Sequence, residues 1–485
     1  MTPDTRFLGQ WLRIVSWQGG GSIMAVGTVA LAAVAVPPAV FARYSLMLSI
    51  VQIGYGVAFA WVNHALFRYA REERARHGTI SGALRPALAA HAALVALGAL
   101  AAATAGPAVA GPAGLPPGVL PWCVAGIAAL AAFEMATYAA QAGGRFDGYG
   151  PGHALAKAGP FLAVLVCTAV GAHAEILFAG ALGGWLAGLA WTARFSSWSG
   201  PARPGTARRM LAYGWRLPFA SAAGMVVAWF GVWAVQMRYG AEVAGVYAWA
   251  AALVAIAAAA LTPISALLAP VMVDLRLAGD LARLRAAVAR AVAVALFVAL
   301  LGVSALLALR LAAAVVLPTA YAGAEPLLVV LFAALPAQFL SYLLSPLLMA
   351  DETLVGTVTR ANVATALFLA GGIWIVLPAA GTIGAAAVSA IAAWSFATYS
   401  LALAARLGGD SRVALRRWMW LGFVFSIVVP IVALAPPVLA VATASCSGAL
   451  VFVARRGGWF RPLAELSVFL PRSRAFERAL RWCAP

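Results

Sequence analysis

The sequence predicts an all-α, polytopic membrane protein. About fourteen transmembrane helices are expected, as two pseudo-symmetric six-helix lobes plus two C-terminal helices, with both termini cytoplasmic. Three observations predict this. Hydrophobic residues make up 64% of the 485-residue chain and charged ones 10%, against about one quarter charged in a soluble domain. Apolar runs long enough to cross about 30 Å of hydrocarbon as helices recur from residue 14 to residue 454. The 33 basic residues, all arginine except Lys157, fall almost wholly in alternate loops and the termini; only Arg43, Arg238 and Arg310 lie in the other set. Short cytoplasmic loops retain arginine and lysine, so the alternation fixes the topology.

Taken in order, the expected spans are 14–36, 45–65, 87–107, 119–141, 154–173, 175–193, 217–237, 244–269, 288–309, 326–349, 361–379, 382–405, 418–434 and 437–454. The stretch Met1 to Arg13 shows no small-residue cleavage site beside a short apolar run, which predicts a retained first span rather than a signal peptide. Loop 66–86 carries Arg68, Arg71, Glu72, Glu73, Arg74, Arg76 and Arg85 and is expected on the cytoplasmic side, whereas the connection 105–121 contains only Gly, Pro and apolar residues. Residues 194–216, with Arg208 and Arg209, are the longest inner linker between spans. The expected organisation is therefore a first lobe over 1–193, a cytoplasmic linker over 194–216, a second lobe over 217–405, and two further helices with a basic tail over 406–485. Segment 276–290 places Leu277, Leu281, Leu284 and Val288 on one face with Arg276, Arg283 and Arg290 elsewhere, the pattern of an interfacial helix, and 461–482 reads the same way. Cys123, Cys167 and Cys446 fall inside spans and Cys483 in the tail, so no disulfide framework or metal spacing emerges. The basic excess is read as topology and attraction to anionic lipids, not as nucleic-acid binding.

An internal repeat supports two lobes. Pro38-Ala-Val-Phe-Ala-Arg-Tyr-Ser-Leu46 stands between spans one and two, and Ala241-Glu-Val-Ala-Gly-Val-Tyr-Ala-Trp249 between spans seven and eight. Aligning Tyr44 with Tyr247 puts each after a tight outer connection. An even number of spans per unit gives both units the same orientation, related by an axis along the membrane normal.

The run Phe41-Ala-Arg-Tyr-Ser-Leu-Met-Leu-Ser-Ile50, followed by Trp61-Val-Asn-His-Ala-Leu-Phe-Arg-Tyr69, resembles the Wzx-type polysaccharide exporters of the multidrug/oligosaccharidyl-lipid/polysaccharide exporter superfamily. In the second lobe, Tyr213-Gly-Trp-Arg-Leu-Pro218, Gly240-Ala-x-x-Ala-Gly-Val-Tyr247, the stretch Tyr342 to Thr365 and Gly381-Thr-Ile-Gly-Ala-Ala-Ala387 share the family's outline, and the likeness spans about residues 10–455. The chain departs from the family at Ala42, where glycine is usual, at 33–36, which lack an arginine, and at Gly231-Val232, where many relatives carry an Asp-Arg pair. The resemblance implies a flippase for lipid-linked oligosaccharides in a bacterial inner membrane, the glycan being carried on a polyprenyl pyrophosphate, with glycan polymerase and assembly proteins as candidate partners.

That task makes physical demands. Glycan hydroxyls and a pyrophosphate cannot cross hydrocarbon unpaired, so a wet, polar and partly cationic path is needed between the lobes. Gln52, Tyr55, Phe59 and Asn63 in span two recur at spacings of three or four and share one helix face. Glu134, Tyr138, Gln141 and Arg145 do so around span four, and Ser221, Met225, Trp229, Trp233 and Gln236 in span seven. Each stripe has two readings: path lining, or helix packing and interfacial belt. Glu134 is the only acid well inside an expected span, which marks it for a cavity or a partner. As a path residue it is a proton or cation site, H+ or Na+, or an ion-pair member with Arg216 or Arg68; otherwise it is a structurally paired carboxyl. Arg68 and Arg216, with Arg145 and Arg360 behind them, are the candidates for pyrophosphate contact, against the reading of ordinary arginines that snorkel to the interface. Arg43 and Arg238 are candidates for guiding headgroup release. His64, His91, His153 and His173 lack metal-ligand spacing, and Gly180, Gly184 and Gly188 suit close helix packing.

No cofactor is expected. The sole lysine, Lys157, is in no phosphate-loop pattern, so transport would run on an ion gradient, membrane potential or substrate gradient rather than ATP. Two rivals stand. A membrane O-antigen polymerase or ligase would be expected to place charged residues in a large outer loop, and the longest outer connection here is chargeless. A small-molecule or multidrug exporter of the same superfamily is not separated from a flippase by composition.

Overall fold

The computed structural model describes residues 5–110, 118–195, 205–215, 217–259, 317–350 and 352–408, with short pieces between 275 and 288. The expected spans over 418–434 and 437–454, almost all of the span over 288–309, Arg216, Arg310 and the 461–482 tail lie outside the described residues. Among those described, the chain is helical throughout. Eight of its helices are long and apolar enough to cross a membrane, or nine if a bent pair counts as one span. The chain is thus an all-helical, multi-pass membrane protein.

Helix α1 runs Thr5–Ala35 and stops before Pro37-Pro38, and Pro38 opens α2 (Pro38–Ala58). Proline suits that first position because its missing N–H has no partner there in any case. The span expected over 45–65 is broken: α2 ends at Phe59, whose backbone turns to φ −118°, and α3 (Ala60–His77) continues from it. Helix α4 (Ser81–Ala110) begins on the carboxylate of Glu73, which accepts from the Thr79 hydroxyl at 2.8 Å and the amides of Gly82 and Ala83 at 3.0 and 2.9 Å. This acid, in the last turns of α3 rather than in the expected charged loop, is buried because it satisfies the free donors of a helix start. Helices α5 (Val119–Ala142), α6 (Phe146–Val170), α7 (Ala174–Ala193), the short α8 (Thr206–Gly214) and α9 (Leu217–Ala259) follow. Helix α9 holds two expected spans joined at one residue, Gly240 (φ 82°, ψ −177°), a conformation open to glycine and strained for a side chain.

Residues 12–249 form one compact unit. Within it α6 and α7 lie closest. A Cβ on Gly159 would stand 2.1 Å from the Gly180 carbonyl oxygen, one on Gly184 2.5 Å from that of Ala156, and one on Gly188 2.7 Å from that of Gly152. The stripe Gly180-Gly184-Gly188 is therefore a backbone-to-backbone seam, the close approach small residues allow between membrane helices. At one end of the unit the α1–α2 turn meets the second half of α9: a Cβ on Gly245 would collide with the Pro38 carbonyl, and Trp249 Nε1 donates to the Val29 carbonyl at 2.7 Å. At the same end Arg43 donates to the Glu175 carboxylate, which accounts for one of the three outlying arginines.

The other, arginine-rich end is packed by Val62, Leu66, Leu84, Met135 and Met210 from α3, α4, α5 and α8. Around that core Arg209 donates to both Glu72 oxygens at 3.0 Å and stacks on Tyr69, while Arg68 lies 4.9 Å from the ring centre of Tyr213.

The second compact unit contains residues from Ala250 onward together with the first eleven. Its described helices are α10 (Ala324–Phe332), α11 (Leu335–Ala350) and α12 (Glu352–Gly408). The span expected as one helix over 326–349 is instead bent by 45° between α10 and α11. Pro336 stands just past the bend, where a residue without an amide proton is tolerated at a helix start and not within one. Trp394 Nε1 donates at 2.8 Å to the Ala333 carbonyl freed at the bend. Helix α12 contains two expected spans joined at Gly381 (φ 60°, ψ −156°).

Candidate functional site

The first unit encloses a column of polar and aromatic side chains. At one level Trp233 of α9 donates from Nε1 to the Ser49 hydroxyl of α2 at 2.9 Å, and Ser49 passes its own proton to the Leu46 carbonyl at 2.7 Å. One turn of α2 further on is Gln52, partly buried. At the Phe59 break, Asn63 of α3 reaches back to Tyr55 of α2, Nδ2 to the phenol oxygen at 3.1 Å. Asn63 is wholly buried, and its carbonyl oxygen has no partner among the described residues. The stripe expected along span two thus survives as one face, but a break lies inside it.

Glu134 of α5 occupies the next level. The phenols of Tyr55, Tyr138 and Tyr149 lie within electrostatic reach of its carboxylate, and its backbone carbonyl accepts the Thr137 hydroxyl at 2.7 Å. No salt bridge to Glu134 is formed among the described residues. Neither ion pair considered for it is therefore observed: Arg216 lies outside the described residues, and Arg68 packs on Tyr213 at the arginine-rich end. Glu134 thus stands within an expected span among phenols, with no ion pair holding it among the described residues.

Helix α6 supplies what sequence reasoning missed. The span expected to begin at 154 begins at Phe146, so Tyr149, His153 and Lys157, each four residues apart, share one helix face. His153 packs edge-on against Tyr149 at 4.6 Å and Phe133 at 5.2 Å. Gln18 of α1 hydrogen-bonds Tyr149, and Lys157 comes within electrostatic reach of His153. The four-residue spacing was the available signal; a helix start eight residues too late hid it. His64 sits edge-on to Tyr138 at 5.6 Å, and His91 lies against Phe59 with Nδ1 2.9 Å from the Ala87 carbonyl. No group of three His, Cys, Asp or Glu side chains close enough for a metal occurs among the described residues.

The remaining sequence candidates are scattered. Trp229 is half-buried on α9, and Gln236 keeps a buried carbonyl oxygen with no partner among the described residues. Arg145 lies beyond the end of α5, exposed, as the residue that caps α6. Arg360 is exposed on α12, with its guanidinium 3.4 Å from the Thr357 hydroxyl. Arg238 is exposed beside the Gly240 turn.

No protein-family model and no curated protein matches this chain. Solved structures do. A Vibrio cholerae MATE transporter, VcmN, in its bent form is similar with a TM-score of 0.58 and 15% identity, over 87% of this chain and 100% of that one. A mutant of the same transporter gives 0.61 and 15% identity, over 84% and 98%. An inward-facing multidrug resistance MATE family transporter of the MOP superfamily gives 0.57 and 12% identity, over 84% and 95%. At these identities the likeness establishes the fold alone, and the chain has the MATE-like helical fold.

Proposed function

We propose that this chain is a secondary transporter that moves a lipid-linked oligosaccharide, carried on a polyprenyl pyrophosphate, from the inner to the outer leaflet of a bacterial inner membrane by alternating access. The observation that carries this is the column of aromatic faces and amides in the first unit: Trp233, Ser49, Gln52, Tyr55 and Asn63 leading to Glu134. Flat rings stack on sugars, and the unsatisfied carbonyls of Asn63 and Gln236 accept hydroxyl protons. Glu134 is the coupling site in this reading, loading H+ or Na+ on one side and releasing it on the other. The arginine-rich end faces the cytoplasm, and Arg68 and Arg216 take the pyrophosphate as it enters. The protein acts without catalysing a covalent reaction, and glycan assembly proteins are its expected partners.

The test is genetic. Removing the protein should leave lipid-linked oligosaccharide on the inner leaflet and deplete surface polysaccharide. Unchanged polysaccharide with increased drug sensitivity would overturn the flippase reading. It would support the second one, a small-molecule exporter, which the likeness to a transporter described as multidrug resistance favours.

A further inference from the structure

Helix α8 is clamped on one face and bare on the other. Inward, Met210 joins the core of α3, α4 and α5, and a Cβ on Gly214 would stand 2.5 Å from the Trp61 ring. Between them Tyr69 donates its hydroxyl to the Arg209 carbonyl at 3.2 Å, and Arg209 engages Glu72 at 3.0 Å. Outward stand Ala207, Arg208, Leu211 and Ala212, all exposed, and Trp215, which prolongs the helical backbone at φ −59°, ψ −23°. At 3.6 residues per turn these five fall within about 140° of arc. Leu211 is 57% exposed and Trp215 54%, two large apolar groups one turn apart on a helix that its other face holds in place.

Position, charge and size say what covers this face. Helix α9, long and apolar enough to cross a membrane, begins at Leu217, so Trp215 lies within about 8 Å of its first residue. The first turn of α9 exposes Phe219. The outer face of α8 therefore stands where hydrocarbon gives way to headgroups, the depth at which tryptophan is favoured. The connection 194–216 contains five arginines and no acid. Arg208 is the only charge on the outer face. That face is short: nine residues span roughly 14 Å, far too little for the about 800 Å² that a stable protein partner covers on each side.

We propose that the outer face of α8 is a contact for anionic phospholipid, with Leu211 and Trp215 entering the edge of the acyl layer and Arg208 taking the headgroup phosphodiester. A helix that lies in the interface needs both parts, an apolar face and cations beside it. The clamp on α3 holds the face at a fixed height, and the contact fixes the start of α9 at the membrane surface. The site is separate from the Glu134 column, and it does not depend on the transport reading.

The experiment places a nitroxide label at L211C in the full-length protein, with Cys446 and Cys483 replaced by serine; Cys123 and Cys167 are buried. The protein is held in phosphatidylcholine nanodiscs containing increasing phosphatidylglycerol. Collisions with oxygen, which concentrates in lipid, are compared with collisions with a water-soluble nickel chelate. Oxygen should dominate, and its lead should grow with phosphatidylglycerol. In R208Q about fivefold more phosphatidylglycerol should be needed for half of that change, the factor one arginine near a lipid surface contributes. R360Q, an exposed arginine on α12, should titrate as the parent does. Dominance of the nickel chelate would show a helix bathed in water, and protection from both reagents a face covered by protein; either overturns the lipid contact. A response that ignores phosphatidylglycerol, or equal shifts in R208Q and R360Q, would overturn the role of Arg208 and with it the anionic site. Leu211 and Arg208 are exposed, so none of these variants disturbs the clamped face.

Discussion

The two units share a construction and differ in chemistry. Each contains a glycine of positive φ that joins two helical stretches, Gly240 in the first and Gly381 in the second. Each uses a buried tryptophan to tie helices together, Trp249 to Val29 in the first and Trp394 to Ala333 in the second. Yet the first places Glu134, His64, His153 and Lys157 on its membrane helices, whereas the sequence from 361 to 405 contains no charged residue at all. Charge within a membrane is retained where it works, because it is costly elsewhere. On the transport reading proposed above, this difference assigns ion handling to the first unit, where Glu134 stands within a span.

The difference is sharpest at the glycines, where the largest effects are expected. Gly159 meets backbone from α7, which cannot move aside without separating two helices. Gly372 meets only the Val388 side chain, at 2.8 Å. Substituting Gly159→Ala should therefore lower the unfolding midpoint strongly, by about 3 kcal/mol or more in stability, while Gly372→Ala costs under about 1 kcal/mol. Thermal unfolding of the two purified variants decides this; equal losses would mean that the α6–α7 seam is no tighter than the second unit.

Next comes the column. Glu134→Gln should abolish ion-dependent transport, a loss of about tenfold or more in proteoliposomes, with folding intact, because the amide keeps the volume and loses the charge change. Retained transport would place coupling elsewhere and remove the main chemical contrast between the units. His153→Gln, one helix away, should reduce transport less. If it matched Glu134→Gln, the stripe on α6 would be part of the coupling site itself.

Much of this fold was legible in the sequence because bilayer thickness dictates helix length. The spans around Val119–Ala142 and Ala174–Ala193 fall within a residue of where hydropathy places them. Gly240 and Gly381 fall in the short connections between expected spans, 238–243 and 380–381. The breaks were less legible. Phe59 carries no proline or glycine signature, and the bend before Pro336 is hidden in an unbroken apolar run. The site was only partly legible for a related reason. Tyr149 and His153 fall just before the span expected over 154–173, because hydropathy finds the greasy part of a helix and not its polar start. Glu73 looked like one more charge in a charged loop, since a carboxylate that caps a helix eight residues later leaves no periodic trace.

The smallest contrast separates a bond in the path from a bond that only ties helices. Trp233→Phe and Trp394→Phe each delete one indole N–H donor and keep an aromatic ring. Each should cost about 1 kcal/mol of stability, with Trp394→Phe the larger, because it leaves a buried backbone carbonyl unpaired at a helix break, whereas Ser49 keeps its own bond to Leu46. Transport should reverse that order. Trp233 holds α9 against α2 at the head of the polar column, so its loss loosens the proposed path, while Trp394→Phe leaves that path untouched. Thermal unfolding and transport measured on the same two preparations test both halves. If transport follows stability in both variants, the tryptophans are equivalent struts, and the column loses its claim to be a path.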